Sequence, residues 1–173
     1  MNKINLNFCK KILLSISSIL LLIFLLIHLI GNLGIFLGKS SFNNYAELIQ
    51  SNKTVLWLLR LSLIISFSSH VLLAIYLSFK NKLSNPVKYT DVEYYNSSFS
   101  SRTMLASGFI VVSFIIFHIL HLTIGCIDSN LNILFKEENK NIYEIVINSF
   151  KNKYVLVIYL FSLLSIFFHI KHG

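Results

Sequence analysis

All six histidines of the chain, His28, His70, His118, His121, His169 and His172, fall in or at the end of apolar stretches. Imidazole is polar, carries protons and binds metals, so a histidine in a run of hydrocarbon side chains marks a functional position. Four of them sit at matched places. His28 lies 16 residues after Ile12, His70 16 after Thr54, His118 15 after Thr103 and His169 16 after Lys153. As helical positions these are each about 23 Å along, at about 1.5 Å per residue. Successive spans run in opposite directions, so equal depth means two levels. His28 and His118 come near one face and His70 and His169 near the other, roughly 15 Å apart in a hydrocarbon core about 30 Å thick. Two histidines facing each other can fill both axial positions of a haem iron, leaving none for oxygen, and such a centre carries electrons. One histidine would be read as a hydrogen-bonded group inside a bundle; four at matched depth point to haem ligation. Zinc fits less well, because no cysteine or carboxylate joins any pair.

Small residues accompany these histidines. Ser62 and Ser66 precede His70, Ser162 and Ser165 precede His169, Gly31, Gly34 and Gly38 follow His28, and Ser107, Gly108 and Gly125 share the stretch of His118. They would give a flat macrocycle clearance, or simply let helices approach closely. His121 and His172 follow a proposed ligand by three residues and lie nearer the interface. Either could bond a haem propionate or replace its neighbour, with a plain interfacial role weighed slightly above both. Arg102, at the mouth of the third span, could pair a propionate or serve only as a topology anchor.

The elements that position these residues are four apolar segments: about 12–38, 54–79, 103–126 and 153–170. Each is long enough to cross a bilayer. Together they predict an all-α, integral membrane bundle of four transmembrane helices in a single domain over residues 1–173. Composition agrees, with 55% hydrophobic and 13% charged residues and a mean hydropathy of +0.70. The net charge of +8 would suit nucleic acid, yet the Lys and Arg residues sit between apolar runs, where they set topology. Lys3, Lys10 and Lys11 at the start, and Lys80, Lys82, Lys88 and Arg102 between the second and third spans, place the N-terminus in the cytoplasm. The first run is too long for a signal-peptide core and is expected to remain as a span. Arg60, early in the second span, can snorkel to the interface.

Among the connections, "KSSFNNYAELIQSNK" is expected to be an external loop or short surface helix, and Asn85–Pro86 a turn. Ile142, Ile145, Val146 and Phe150 recur at helical spacing and predict a short amphipathic helix on the outer surface. No repeat is visible in the sequence beyond the placement of the histidines. Cys9 precedes the first span and Cys126 closes the third, on opposite sides of the membrane. Neither belongs to a C-x-x-C-H motif, so a haem here would be b-type, held without covalent attachment.

The segments "HLIGNLGIFLGKSSFNNYAELI", "SSHVLLAIY", "NKLSNPVKYT", "SRTMLASG", "FHILHL" and "FHIKHG" come in the order found in the di-haem cytochrome b (b558-type) subunit of succinate dehydrogenase and fumarate reductase, which the chain resembles over nearly its whole length. The resemblance implies an anchor in the bacterial inner membrane for a flavoprotein and an iron–sulfur subunit. It implies two haem b groups, His28 with His118 and His70 with His169 as iron ligands, and quinone, usually menaquinone, as the electron partner. The pairing agrees with the one reached from depth. In the family motifs the first histidine of each close pair is the ligand, which ranks His118 above His121 and His169 above His172. Two departures stand out: the family has a fifth helix, which is unmatched before Gly173, and Asn85 stands before Pro86 where the family often has Arg.

On this reading the chain is an electron-transfer subunit with no succinate activity alone, since it has no flavin or cluster motif. Tyr45 and Glu47 in the first connection are candidates for handling quinone protons, with ordinary loop roles weighed above that. The alternatives are another bis-histidine di-haem membrane cytochrome and a haem-free structural anchor for soluble subunits. A transporter is disfavoured by the absence of acidic residues within the spans.

Overall fold

The computed structural model describes residues 3–83, 99–127, 134–135 and 141–172, and among these the protein is helical with no strand. Four helices are long and apolar enough to cross a membrane: Phe8–Leu37, Lys53–Asn81, Thr103–Ile124 and Lys153–Lys171. They coincide with the four predicted spans to within a few residues at most ends. The Asn85–Pro86 turn, Lys88, the charged stretch 136–140 and the side chains of Arg102 and His172 lie outside the described residues. The chain forms two compact units, Met1–Thr90 and Asp91–Gly173.

In the first unit, α1 (Lys3–Leu33) runs into a 3-10 turn (Gly34–Leu37), then α2 (Lys39–Ser51) and α3 (Lys53–Leu83). The long Leu- and Ile-rich run contains no proline to interrupt it and ends where glycines gather. Gly38 has φ +92°, a backbone that L side chains adopt only under strain. Its N–H bonds the Ile35 carbonyl at 3.2 Å and its carbonyl accepts from the Phe42 N–H at 3.1 Å, so one residue closes the first helix and opens the next. α2 is the short helix allowed for by the sequence. Its Phe42 and Tyr45, three apart, cover Gly34 and Gly31, also three apart: a Cβ on Gly34 would stand 3.7 Å from the Phe42 ring, and one on Gly31 would collide with the Tyr45 phenol. Gly31 and Gly34 therefore give clearance to α2 and not to a macrocycle, which is the small-residue packing reading. The Asn52 side chain accepts from the Val55 N–H at 3.1 Å and caps α3. α1 and α3 pack antiparallel, with Lys10 Nζ 3.8 Å above the Tyr76 ring and Ser18 beside His70. Arg60 lies over Trp57 at 5.3 Å, an aromatic partner near the start of the helix that suits an interfacial cation.

In the second unit, α4 (Phe99–His118) continues as a π-helical segment (Ile119–Ile124), followed by α5 (Ile142–Lys151) and α6 (Lys153–His172). The wider winding ends at Gly125, φ +74°, whose N–H bonds the Leu120 carbonyl, as does the Cys126 N–H at 3.0 Å. The Phe135 ring packs on Gly125 where a side chain would otherwise stand. α5 is the predicted amphipathic helix, capped by Asn141, which accepts from the Glu144 N–H at 3.2 Å. It is not merely laid on a surface: Ile145 and Ser149 are only 1% and 0% exposed. Asn152 turns the chain into α6, accepting from the Tyr154 N–H at 3.0 Å.

The two units follow one plan. Each has a long helix carrying a serine and, 10 or 11 residues on, a histidine (Ser18 and His28; Ser107 and His118). A glycine of positive φ follows (Gly38; Gly125), then a short helix, a single asparagine corner and a lysine (Asn52–Lys53; Asn152–Lys153), and a second long helix with its own histidine (His70; His169). The histidine placement noticed in the sequence is the trace of a repeated helical hairpin.

Candidate functional site

His70 and His169, the pair expected near one face, each face a serine of the neighbouring long helix within their separate hairpins. Ser18 Oγ on α1 lies 3.1 Å from His70 Nδ1, and Ser107 Oγ on α4 lies 2.9 Å from His169 Nδ1. Each serine also reaches a carbonyl of its own helix, Ser18 that of Leu14 at 2.8 Å and Ser107 that of Met104 at 2.9 Å. With the hydroxyl proton on that carbonyl, the serine oxygen accepts from the imidazole, an arrangement that keeps the ring proton on Nδ1 and the lone pair on Nε2. That is the tautomer an Nε2 metal ligand requires, held by the outer hydrogen bond such ligands use.

His169 also has the clearance expected of Gly108, since a Cβ there would stand 3.4 Å from its Cε1. Of the four serines expected to make room on the histidines' own helices, Ser62 and Ser165 turn back on their backbones, Ser62 donating to the Leu59 carbonyl and Ser165 to the Phe161 carbonyl. Ser18 was missed in the sequence because it belongs to the facing helix. Its signal was depth: six residues after Ile12, it lies at the level His70 reaches from the opposite direction.

The other expected pair is seated differently. His28 is half-buried, stacked on Phe24 with centroids 5.4 Å apart and planes 19° from parallel. Tyr45 covers Gly31 one turn further along the same helix, which brings one of the two loop candidates to the neighbourhood of His28. His118 and His121 share a partner that the sequence reading did not single out: Tyr159 Oη is 3.3 Å from His118 Nδ1 and 3.1 Å from His121 Nδ1. Phe114, Phe117 and Phe150 stand edge-on to the same phenol at 4.8 to 5.9 Å. His121 is 1% exposed, enclosed in its unit, while His118 is only half-buried.

The donor set suits a haem better than a bare metal ion. Among the described residues no three His, Cys, Asp or Glu side chains gather as a cage, whereas a porphyrin brings four nitrogens of its own and asks the protein for two. Imidazoles whose Nδ1 faces a serine, as in His70 and His169, the latter with Gly108 beside its ring, would suit that need. No protein-family model, curated protein or solved structure matches the chain.

Proposed function

We propose that the chain is a membrane-embedded di-haem cytochrome b of the succinate dehydrogenase and fumarate reductase type, an anchor that passes electrons between an iron–sulfur subunit and membrane quinone. The observation that carries this reading is the serine contact found twice: two histidines on two hairpins, each with Nδ1 beside a serine that also reaches a carbonyl of its own helix, so that Nε2 is left to a ligand. When bound, a bis-histidine haem supplies a one-electron couple with no open coordination position. By the pairing drawn from sequence depth, His70 and His169 would hold one and His28 and His118 the other; within their own hairpins Ser18 and Ser107 contact His70 and His169, and Tyr159 contacts His118.

Lipid is the surrounding that the four long helices fit. At most 17% of the residues in the most apolar window of each are buried within the protein, leaving most of those apolar side chains uncovered, which water would penalise heavily. The basic residues orient the chain with its N-terminus in the cytoplasm of a bacterial cell, where the flavoprotein and iron–sulfur partners dock. Both cysteines are exposed, and they report the orientation. A membrane-impermeant maleimide added to intact spheroplasts is expected to label Cys126 and to reach Cys9 only after permeabilisation; the reverse pattern would invert the topology.

The direct test is haem content. Purified from membranes together with its soluble partners, the protein is expected to give two moles of b haem per mole of chain by pyridine haemochrome. Protein with none would be a structural anchor and would end the electron-transfer reading.

A further inference from the structure

We propose that the first hairpin, at the end where α1 begins and α3 finishes, holds one anionic phospholipid, with its phosphate between Lys10 and Lys80 and an acyl chain along Phe79 and Leu72. This rests on the reading of the long helices as membrane spans and is independent of the haem reading.

The site is built around one ring. Tyr76 on α3 has Lys10 Nζ, from α1, 3.8 Å above its centroid and Lys80 Nζ, from its own helix, 5.9 Å away. The negative face of the phenol draws both cations, so two ammonium groups from two helices gather at one point. This sets the two lysines apart: among the lysines whose side chains are described, only Lys10 and Lys80 are half-buried, and the rest are exposed. Like charges brought together repel, and an anion placed between them offsets that cost. The hairpin supplies no carboxylate at this end. Glu47 is the only acidic residue among residues 1–90, and it lies on α2, which joins the opposite ends of the two long helices.

The surroundings say what kind of anion fits. Tyr76, Phe79, Lys80 and Leu83 stand at i, i+3, i+4 and i+7 on one face of α3 and line an open groove of about 470 Å³. The same face continues into the span with Leu72 and Ile65, both exposed, as is Phe79. A small hydrated anion gains nothing from such an apolar wall. A molecule with a phosphate at one end and an acyl chain at the other meets both halves: lysine is a point-charge donor suited to phosphate, the phenol adds a hydroxyl, and basic pockets between transmembrane helices near the membrane surface suit anionic headgroups.

The test is native mass spectrometry of the full chain in a neutral detergent, given equal amounts of phosphatidylglycerol and phosphatidylcholine of the same chain length. Phosphatidylcholine carries the same phosphate but brings its own cation. The wild type is expected to retain one phosphatidylglycerol in preference to phosphatidylcholine. Lys10→Gln and Lys80→Gln are each expected to lower that retention about fivefold, the weight of one lysine beside an anionic headgroup. Lys10→Arg restores it, and Lys53→Gln, at the other end of α3, leaves it unchanged. Excess glycerol 3-phosphate is expected not to displace the lipid; displacement would mean a plain anion site and overturn the assignment. Equal retention of the two lipids, or an equal loss in Lys53→Gln, would overturn it too. So would Lys10→Gln and Lys80→Gln proteins that keep the lipid and instead lose a copurifying soluble protein.

Discussion

His70→Ala and His169→Ala are each expected to remove one b haem, the same one, and to leave the other bound. On the proposed reading each substitution would remove one of the two imidazoles that hold that haem. The second haem would survive, since the residues that would hold it are seated by different contacts, His28 by Phe24 and His118 by Tyr159. Haem content falls by half in both variants, and redox titration shows the same component missing. Ser18→Ala and Ser107→Ala keep the ligand and lose only its outer hydrogen bond, so they should weaken retention of that haem by roughly 10- to 100-fold without abolishing it. Loss of both haems, of neither, or of a different haem in each histidine variant would break the pairing.

Gly125→Val is expected to be the most damaging single change outside the ligands. Gly125 stands at φ +74°, where a β-branched residue costs about 1–3 kcal/mol. A Cβ there also enters the Phe135 ring, and displacing a packed group adds about 1–3 kcal/mol. The loss falls where the π-helical segment closes, so the seat of His121 and its contact with Tyr159 go with it. Gly38 is the control: its φ is +92°, but nothing lies within 4 Å of a Cβ. Gly38→Val meets backbone strain alone. Thermal unfolding in detergent, followed by the haem Soret band, should rank Gly125→Val well below Gly38→Val. Equal losses would mean that the Phe135 contact contributes nothing.

Most of the fold was legible because its signals are local. Apolar runs longer than a bilayer is thick set the four long helices, and helical spacing of Ile142, Ile145, Val146 and Phe150 set α5. The histidine ladder was legible for the same reason, since depth along a helix is a matter of counting. What escaped belongs to facing helices. Ser18 and Tyr159 are ordinary residues in apolar runs until a neighbouring helix brings a histidine to them. Gly31 and Gly34 were ambiguous for a related reason: an absent side chain in sequence does not say what fills the space, and Tyr45 and Phe42 fill it. The burial of His121 depends on the change from α to π winding, and no residue from Ile119 to Ile124 announces that change.

The serine contacts bear on how such a protein is built. Ser18 reaches His70, and Ser107 reaches His169, without leaving the hairpin in which each pair is made. Each hairpin can therefore set its own imidazole as soon as its two long helices have met, before the cofactor arrives. The ordering of both rings is completed during folding and is not charged against capture of the haem. On the proposed reading, a newly inserted apoprotein would be a receptor with two of its imidazoles already oriented, suited to taking up a scarce and membrane-partitioned cofactor at low concentration.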